Sequence, residues 1–157
     1  MRSPSTSTPE GFTLVEITLA LGLFALVAGL GLGFGLGNGA AGRFRREEST
    51  LIGALRLARA EAMRNVGRAA HGVHYDPGAG CRTYRRCYVV FKGDRFEPGA
   101  SGNVEFESNA TVQVAWPDRD PIFNELDGTA EPAVIGLAQG RRSNSIAINY
   151  EGQIDAR

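Results

Sequence analysis

Gly11-Phe12-Thr13-Leu14-Val15-Glu16 opens the stretch whose reading decides the fold. From Phe12 to Gly42 the one ionisable residue is Glu16, and Arg43, Arg45 and Arg46 then end the run abruptly. A helix needs roughly 20 apolar residues to cross a bilayer, and this run exceeds that length. It predicts a membrane-spanning helix over 12–42. A carboxylate inside such a run costs on the order of 3 kcal/mol on insertion scales, so Glu16 predicts a function with a partner for its charge.

At these residues the chain resembles the processing site of type IV prepilins and secretion-system pseudopilins. The resemblance rests on glycine followed by Phe-Thr-Leu-Val-Glu, placed directly before a long apolar run. It implies cleavage after Gly11 by a prepilin peptidase, N-methylation of Phe12, and pairing of Glu16 with the N-terminal amine of a neighbouring subunit. Met1 to Gly11 would then be a leader; it is rich in Ser, Thr and Pro and carries no apolar core of its own. The alternative for the same residues is an ordinary signal anchor containing a stray Glu.

Charge bears on which side of the membrane the rest of the chain occupies. The leader has Arg2, whereas Arg43, Arg45 and Arg46 flank the far end of the run. The positive-inside rule alone would keep the C-terminal part in the cytoplasm. The prepilin resemblance implies the reverse: an inner-membrane, single-pass protein with its head outside, later part of a filament. Lysines and arginines number 17 and aspartates and glutamates 17, so the net charge is zero. That balance argues against a dedicated nucleic-acid binder.

Beyond Ala28 the run changes character. Glycine occupies every second position from Gly29 to Gly39. Each costs about 0.8–1 kcal/mol against Ala in a helix, roughly 5–6 kcal/mol together. Lipid still enforces helix, because the backbone has no other partner there. The glycines therefore predict a segment that extends easily outside lipid, with close helix packing through Gly31/Gly35 and Gly35/Gly39 as the competing reading. From residue 43 to 66 an amphipathic helix follows, its apolar face being Leu51, Leu55, Ala58, Ala62 and Val66. Its charges read as a solvated face. Gly67 is the expected stop. Helix from Phe12 to Asn65 would be about 80 Å long.

The remainder, 67–157, alternates strand and turn signals. Strands are predicted at 70–75, 88–91, 104–107, 111–116, 122–123, 133–137 and 145–150, the last opening a hairpin that turns near Glu151-Gly152. From about Ile122 to Ile154 an Ile-Phe pair, a Val-Ile-Gly-Leu strand, a Gly-Arg turn and Ile-x-Ile-x-x-x-Gly-x-Ile follow in order. That part is similar to the C-terminal domain of GspH/FimT-type minor pseudopilins and pilins. The expected fold class is therefore α+β: a long N-terminal helix packed on an antiparallel sheet. The expected divisions are a leader (1–11), a membrane and filament-core helix (12–42) and a pilin-like head (43–157).

Little in the head carries chemistry. Cys81 and Cys87 suit a disulfide closing a short Arg-rich loop in an oxidising compartment, a reduced pair being the alternative. His71 and His74 lie three apart on a predicted strand and point to opposite faces, which makes a metal site with these cysteines a poor fit. Serines lack a His partner in any nucleophile-elbow context, and no Gly-rich loop lies between strand and helix. The reading is of a non-enzymatic chain without cofactor or metal. Two basic clusters could meet phosphates: Arg82, Arg85 and Arg86 around Tyr84, and Arg141-Arg142. The Gly-Arg-x-Arg motif of DNA-uptake minor pilins is replaced at the C-terminal hairpin by Gly152-Gln153-Ile154-Asp155.

The function expected is a structural subunit, a minor pilin or pseudopilin, of a type IV pilus or type II secretion pseudopilus. Its partners would be the prepilin peptidase, other subunits, the inner-membrane assembly platform and membrane lipid. The alternatives are a DNA-binding minor pilin of an uptake system and a membrane-anchored β domain unrelated to filaments.

Overall fold

The computed structural model describes residues 13–35, 39–78 and 80–157. They form helices α1 (Leu14–Gly35) and α2 (Gly39–Met63) and eight strands. The strands are β1 (His71–Asp76), β2 (Cys87–Lys92), β3 (Val104–Glu107), β4 (Gln113–Ala115), β5 (Ile122–Phe123), β6 (Ala133–Gln139), β7 (Arg142–Ile148) and β8 (Ile154–Ala156). The chain divides into two compact units, Met1–Ala40 and Ala41–Arg157.

In the first unit α1 starts where Thr13 supplies an N-cap. The Thr13 hydroxyl accepts the Glu16 N–H at 3.3 Å, and its carbonyl accepts the N–H groups of Glu16 and Ile17. Glu16 thus sits in the first turn, where a negative charge complements the helix dipole. Leu14, Val15, Leu23 and Phe24 are more than half exposed and, at about 100° per residue, lie on different sides of the helix. Among the described residues no helix is long and apolar enough to cross a membrane. Phe12 and residues 36–38 of the expected 12–42 span, and the side chains beyond Val27 in α1, lie outside those described. So does the expected continuity of one helix through both halves.

The second unit is built on α2. Phe44, Glu47, Leu51, Ala54, Leu55, Ala58 and Ala62 are buried, a stripe at helical spacing that reaches about two turns further toward the N-terminus than the apolar pattern alone indicated. Val66, assigned to that face from sequence, is instead 41% exposed, because the helix has already ended. The stop is Asn65 rather than Gly67. Asn65 is left-handed (φ 53°), its N–H bonds the Ala62 carbonyl at 2.9 Å, and the Val66 N–H bonds the Glu61 carbonyl at 3.0 Å. That pair of bonds is a Schellman motif, and asparagine tolerates the required backbone better than other residues with a side chain.

The strands form two sheets where one was expected, in the orders β3-β2-β1-β5 and β4-β6-β7-β8, with every pairing antiparallel. Side chains alternate faces along each strand. Val73, Tyr75, Tyr88 and Val90 of the first sheet and Ile135, Leu137, Ile146 and Ile148 of the second join one core with α2. Burying such a side chain contributes about 1.5–3 kcal/mol. An exposed ion pair such as Arg119–Glu131, at 3.8 Å, adds at most about 1 kcal/mol. Apolar packing therefore holds this unit together.

The opposite face of the first sheet has a small core of its own. Cys87, Val89 and Phe91 are buried there, Phe91 meets Phe96 edge-on at 5.7 Å, and Phe96 stacks on His74 at 4.1 Å. The Phe91 ring crosses the strand at Gly72. A Cβ on Gly72 would lie 2.5 Å from Phe91 Cζ and 2.9 Å from the Pro121 carbonyl.

Candidate functional site

Three clusters gather the polar residues of the head, and the one absent from the sequence reading is the most buried. Glu47 lies on the inner face of α2, 2% exposed. Its Oε1 accepts the Tyr88 hydroxyl at 2.6 Å and the Ser108 hydroxyl at 2.7 Å, and its Oε2 accepts the Asn109 N–H at 2.7 Å. Burial, then the bond to Glu47, pushes the Tyr88 phenol far above its ordinary range, so it stays a donor. Tyr88 packs with Tyr75 and Trp116, ring centroids 5.3 and 6.0 Å away. This network ties helix, sheet and the 108–111 loop to one carboxylate.

The second cluster is the disulfide loop. Cys81 and Cys87 are bonded, with Cα atoms 6.0 Å apart. Inside the loop the backbone N–H groups of Arg82 and Thr83 donate to the two Glu105 oxygens at 2.8 and 3.0 Å. Those bonds, the one from Arg82 foremost, hold the Glu105 carboxyl below its ordinary value of 4.5. A depressed carboxyl stabilises the fold above its unfolded value and loses that contribution as pH falls through the folded one. Glu105→Gln should therefore cost under about 1 kcal/mol at pH 7, after solvent screening, and less at pH 3. Thermal melts at the two pH values measure the difference, and an equal cost at both would refute it. Arg86 is a structural tie, its Nε donating to the Pro77 carbonyl and its Nη1 to the Ala110 carbonyl, both at 3.1 Å. Arg82 and Arg85 are exposed. Breaking the disulfide releases a short loop in the unfolded chain and should cost roughly 2 kcal/mol. Urea unfolding with and without reductant reads that loss as a shift of midpoint at constant slope.

The third cluster contains the two histidines, which diverge from β1 as their spacing predicts. His71 is buried, its Nε2 3.6 Å from Glu61 Oε2 of α2 and its Nδ1 3.1 Å from the Ala69 carbonyl. His74 lies on the other face, its Nδ1 2.8 Å from Asp120 Oδ2, while Asp120 Oδ1 accepts the Trp116 Nε1–H at 2.9 Å. This acid fastens β1 beyond the point where its pairing with β5 stops. Only spatial folding brings Asp120 to His74, and no motif in the sequence signals the contact.

The other sequence-identified positions separate. Gly11 and Phe12 lie outside the described residues. Glu16 is an exposed first-turn residue of α1. Arg141 and Arg142 are exposed at the tip between β6 and β7, not at the C-terminal hairpin. That hairpin turns at 149–153, with the Asn149 N–H on the Gln153 carbonyl at 3.1 Å and the Gly152 N–H on the Asn149 carbonyl at 2.9 Å. Arg59 of α2 donates from Nη2 to the Glu151 carbonyl at 2.9 Å and fixes the hairpin against the helix.

A helix laid on antiparallel strands, preceded by an apolar helical segment, is the α+β fold of type IV pilin-like proteins. The chain is similar to the crystal structure of the type IV minor pilin FimU of Pseudomonas aeruginosa (strain PAO1), with a TM-score of 0.50 and 16% identity over 72% of this chain and 89% of that one. At that identity the likeness is one of fold. No family model and no curated protein matches the sequence.

Proposed function

We propose that this chain is a structural subunit, a minor pilin or pseudopilin, of a type IV pilus or type II secretion pseudopilus. One observation carries the reading: over residues 14–27 α1 offers apolar side chains on all its sides, Leu14, Val15, Leu23 and Phe24 among them, and all are exposed. A helix apolar all round is stable in water only when something covers it, which means lipid before assembly and neighbouring helices after it. The pilin-like fold supports the same reading. In this proposal a prepilin peptidase cuts after Gly11 and methylates Phe12, and the head remains outside the inner membrane until the assembly platform adds the subunit to a filament.

Glu16 then becomes the assembly carboxylate, paired in low dielectric with the amine of the next subunit. Glu16→Ala should insert normally and fail to enter filaments, a loss of about tenfold or more if the pair is worth at least 1.4 kcal/mol. Immunoblots of sheared filaments and membranes separate the two effects. Filament levels equal to the parent would refute the role of Glu16. The processing step is tested by the intact mass of the membrane-extracted chain co-expressed with a prepilin peptidase. Loss of Met1–Gly11 and gain of one methyl group are expected, and an uncut chain under an active peptidase would overturn the proposal.

A further inference from the structure

The exposed arginines of the head are not scattered. α2 enters the second unit at Ala41 and immediately carries Arg43, Arg45 and Arg46, all exposed. Strand β7 runs alongside α2 in the same direction: Asn144 bonds Glu48 at one end, and the Glu151 carbonyl just past the strand accepts from Arg59 at the other. The tip between β6 and β7, with Arg141 and Arg142, therefore lies beyond Asn144, beside the first turns of α2. The 108–111 loop is fastened to the same end from two sides. Glu47 holds Ser108 and Asn109, and Gln139 Nε2 donates to the Thr111 hydroxyl at 2.7 Å. Through Arg86 and Ala110 that loop also adjoins Arg85. Six exposed arginines from three separate segments thus converge on the end of the head where the chain enters it. Of the acids there, Glu47 is buried under three donors, Glu48 is engaged by Asn144, and Glu107 is exposed.

We propose that this basic end is a docking surface for the anionic phosphate headgroups of the membrane that holds the subunit. The inference rests on the membrane-held reading above. Lipid is favoured over nucleic acid by chain connectivity: Arg43 follows directly on the apolar run, so a bilayer that holds the last residues of that run has Arg43 within a Debye length of its headgroups. Arginine forks also suit phosphate. The same three residues that oppose the positive-inside rule are, on this account, headgroup contacts made on the outer side.

The test uses the full chain reconstituted into vesicles of phosphatidylcholine alone or with phosphatidylglycerol. An environment-sensitive fluorophore on Ser143→Cys reports from the tip, and the quencher is attached to lipid headgroups. Quenching should be about fivefold stronger in the anionic vesicles, corresponding to about 1 kcal/mol for even one arginine at the surface. It should fall to the neutral level in about 0.5 M NaCl. Arg141→Glu with Arg142→Glu should abolish the difference, and the lysine pair should keep most of it. Equal quenching in both vesicles, with the chain inserted in each, overturns the inference and leaves the membrane reading standing. A response to a short DNA duplex but none to lipid charge overturns it in favour of nucleic acid. A chain that does not float with either vesicle overturns both readings.

Discussion

Glu47→Ala is expected to destabilise the head by about 3–4 kcal/mol. The substitution strands the Tyr88 hydroxyl, the Ser108 hydroxyl and the Asn109 N–H, each of which bonds that carboxylate at 2.6–2.7 Å. A buried donor left without a partner costs about 1–3 kcal/mol. The lower part of that range applies here because Asn109 is half-buried and can turn to water. For a unit of this size the unfolding midpoint should drop by about 10 °C or more. Glu47→Gln should cost less, since one amide oxygen still accepts from Tyr88 and Ser108 while its NH2 opposes the Asn109 N–H. Tyr88→Phe should cost less in the Glu47→Ala background than in the parent, with a coupling of about 1 kcal/mol. A Glu47→Ala melt within two or three degrees of the parent (about 1 kcal/mol or less) would show that the network is dispensable.

The second large effect is expected at Gly152→Ala, at about 3 kcal/mol or more. Two costs combine. Gly152 is left-handed at φ 69°, which penalises any side chain by about 1–2 kcal/mol. Its added Cβ would also lie 1.9 Å from the Gly128 carbonyl oxygen, a backbone atom with no rotamer to change. Relief requires the 149–153 turn to lift from α2, which breaks the Arg59 bond to the Glu151 carbonyl and strains the bond from the Ala130 N–H to the Tyr150 carbonyl at 3.1 Å. Gly140→Ala is the control: φ is 62° but nothing lies within 4 Å of the new atom, so only the conformational cost of about 1–2 kcal/mol remains. Urea midpoints for the two variants, compared at equal slope, test the difference. Equal costs would mean the turn moves freely and the clash is absorbed.

These residues show what a sequence can and cannot disclose. The strand around Val89-Val90 was legible as a continuous apolar run, because it is buried on both faces, and those around Ile135 and Ile146 because burial on one face leaves a local alternation of side chains. The Cys81–Cys87 bond was legible because two cysteines six apart have few other partners. Glu47 was not. On a helix between Arg46 and Glu48 it reads as solvated charge, and its partners lie 41–62 residues away. The start of β7 was missed because Ser143 and Asn144 carry no apolar signal; pairing with Ala138 and Leu137 of β6 makes them strand. The division into two sheets likewise depends on which strands pair, and pairing is long-range. Gly67 attracted the helix stop because glycine is the usual left-handed residue, whereas Asn65 two positions earlier already closed the Schellman bonds.

The sheets carry one more consequence, for a chain crowded by copies of itself. Their outer strands are β3 and β5 in one sheet and β4 and β8 in the other, of four, two, three and three residues. Each offers only a short row of free backbone groups. β3 adds Glu105 and Glu107, and β8 adds Asp155. Short, charged margins are poor templates for a strand from another molecule. At high local concentration such heads resist strand exchange, so that amyloid-like fusion of neighbours through their sheets is suppressed.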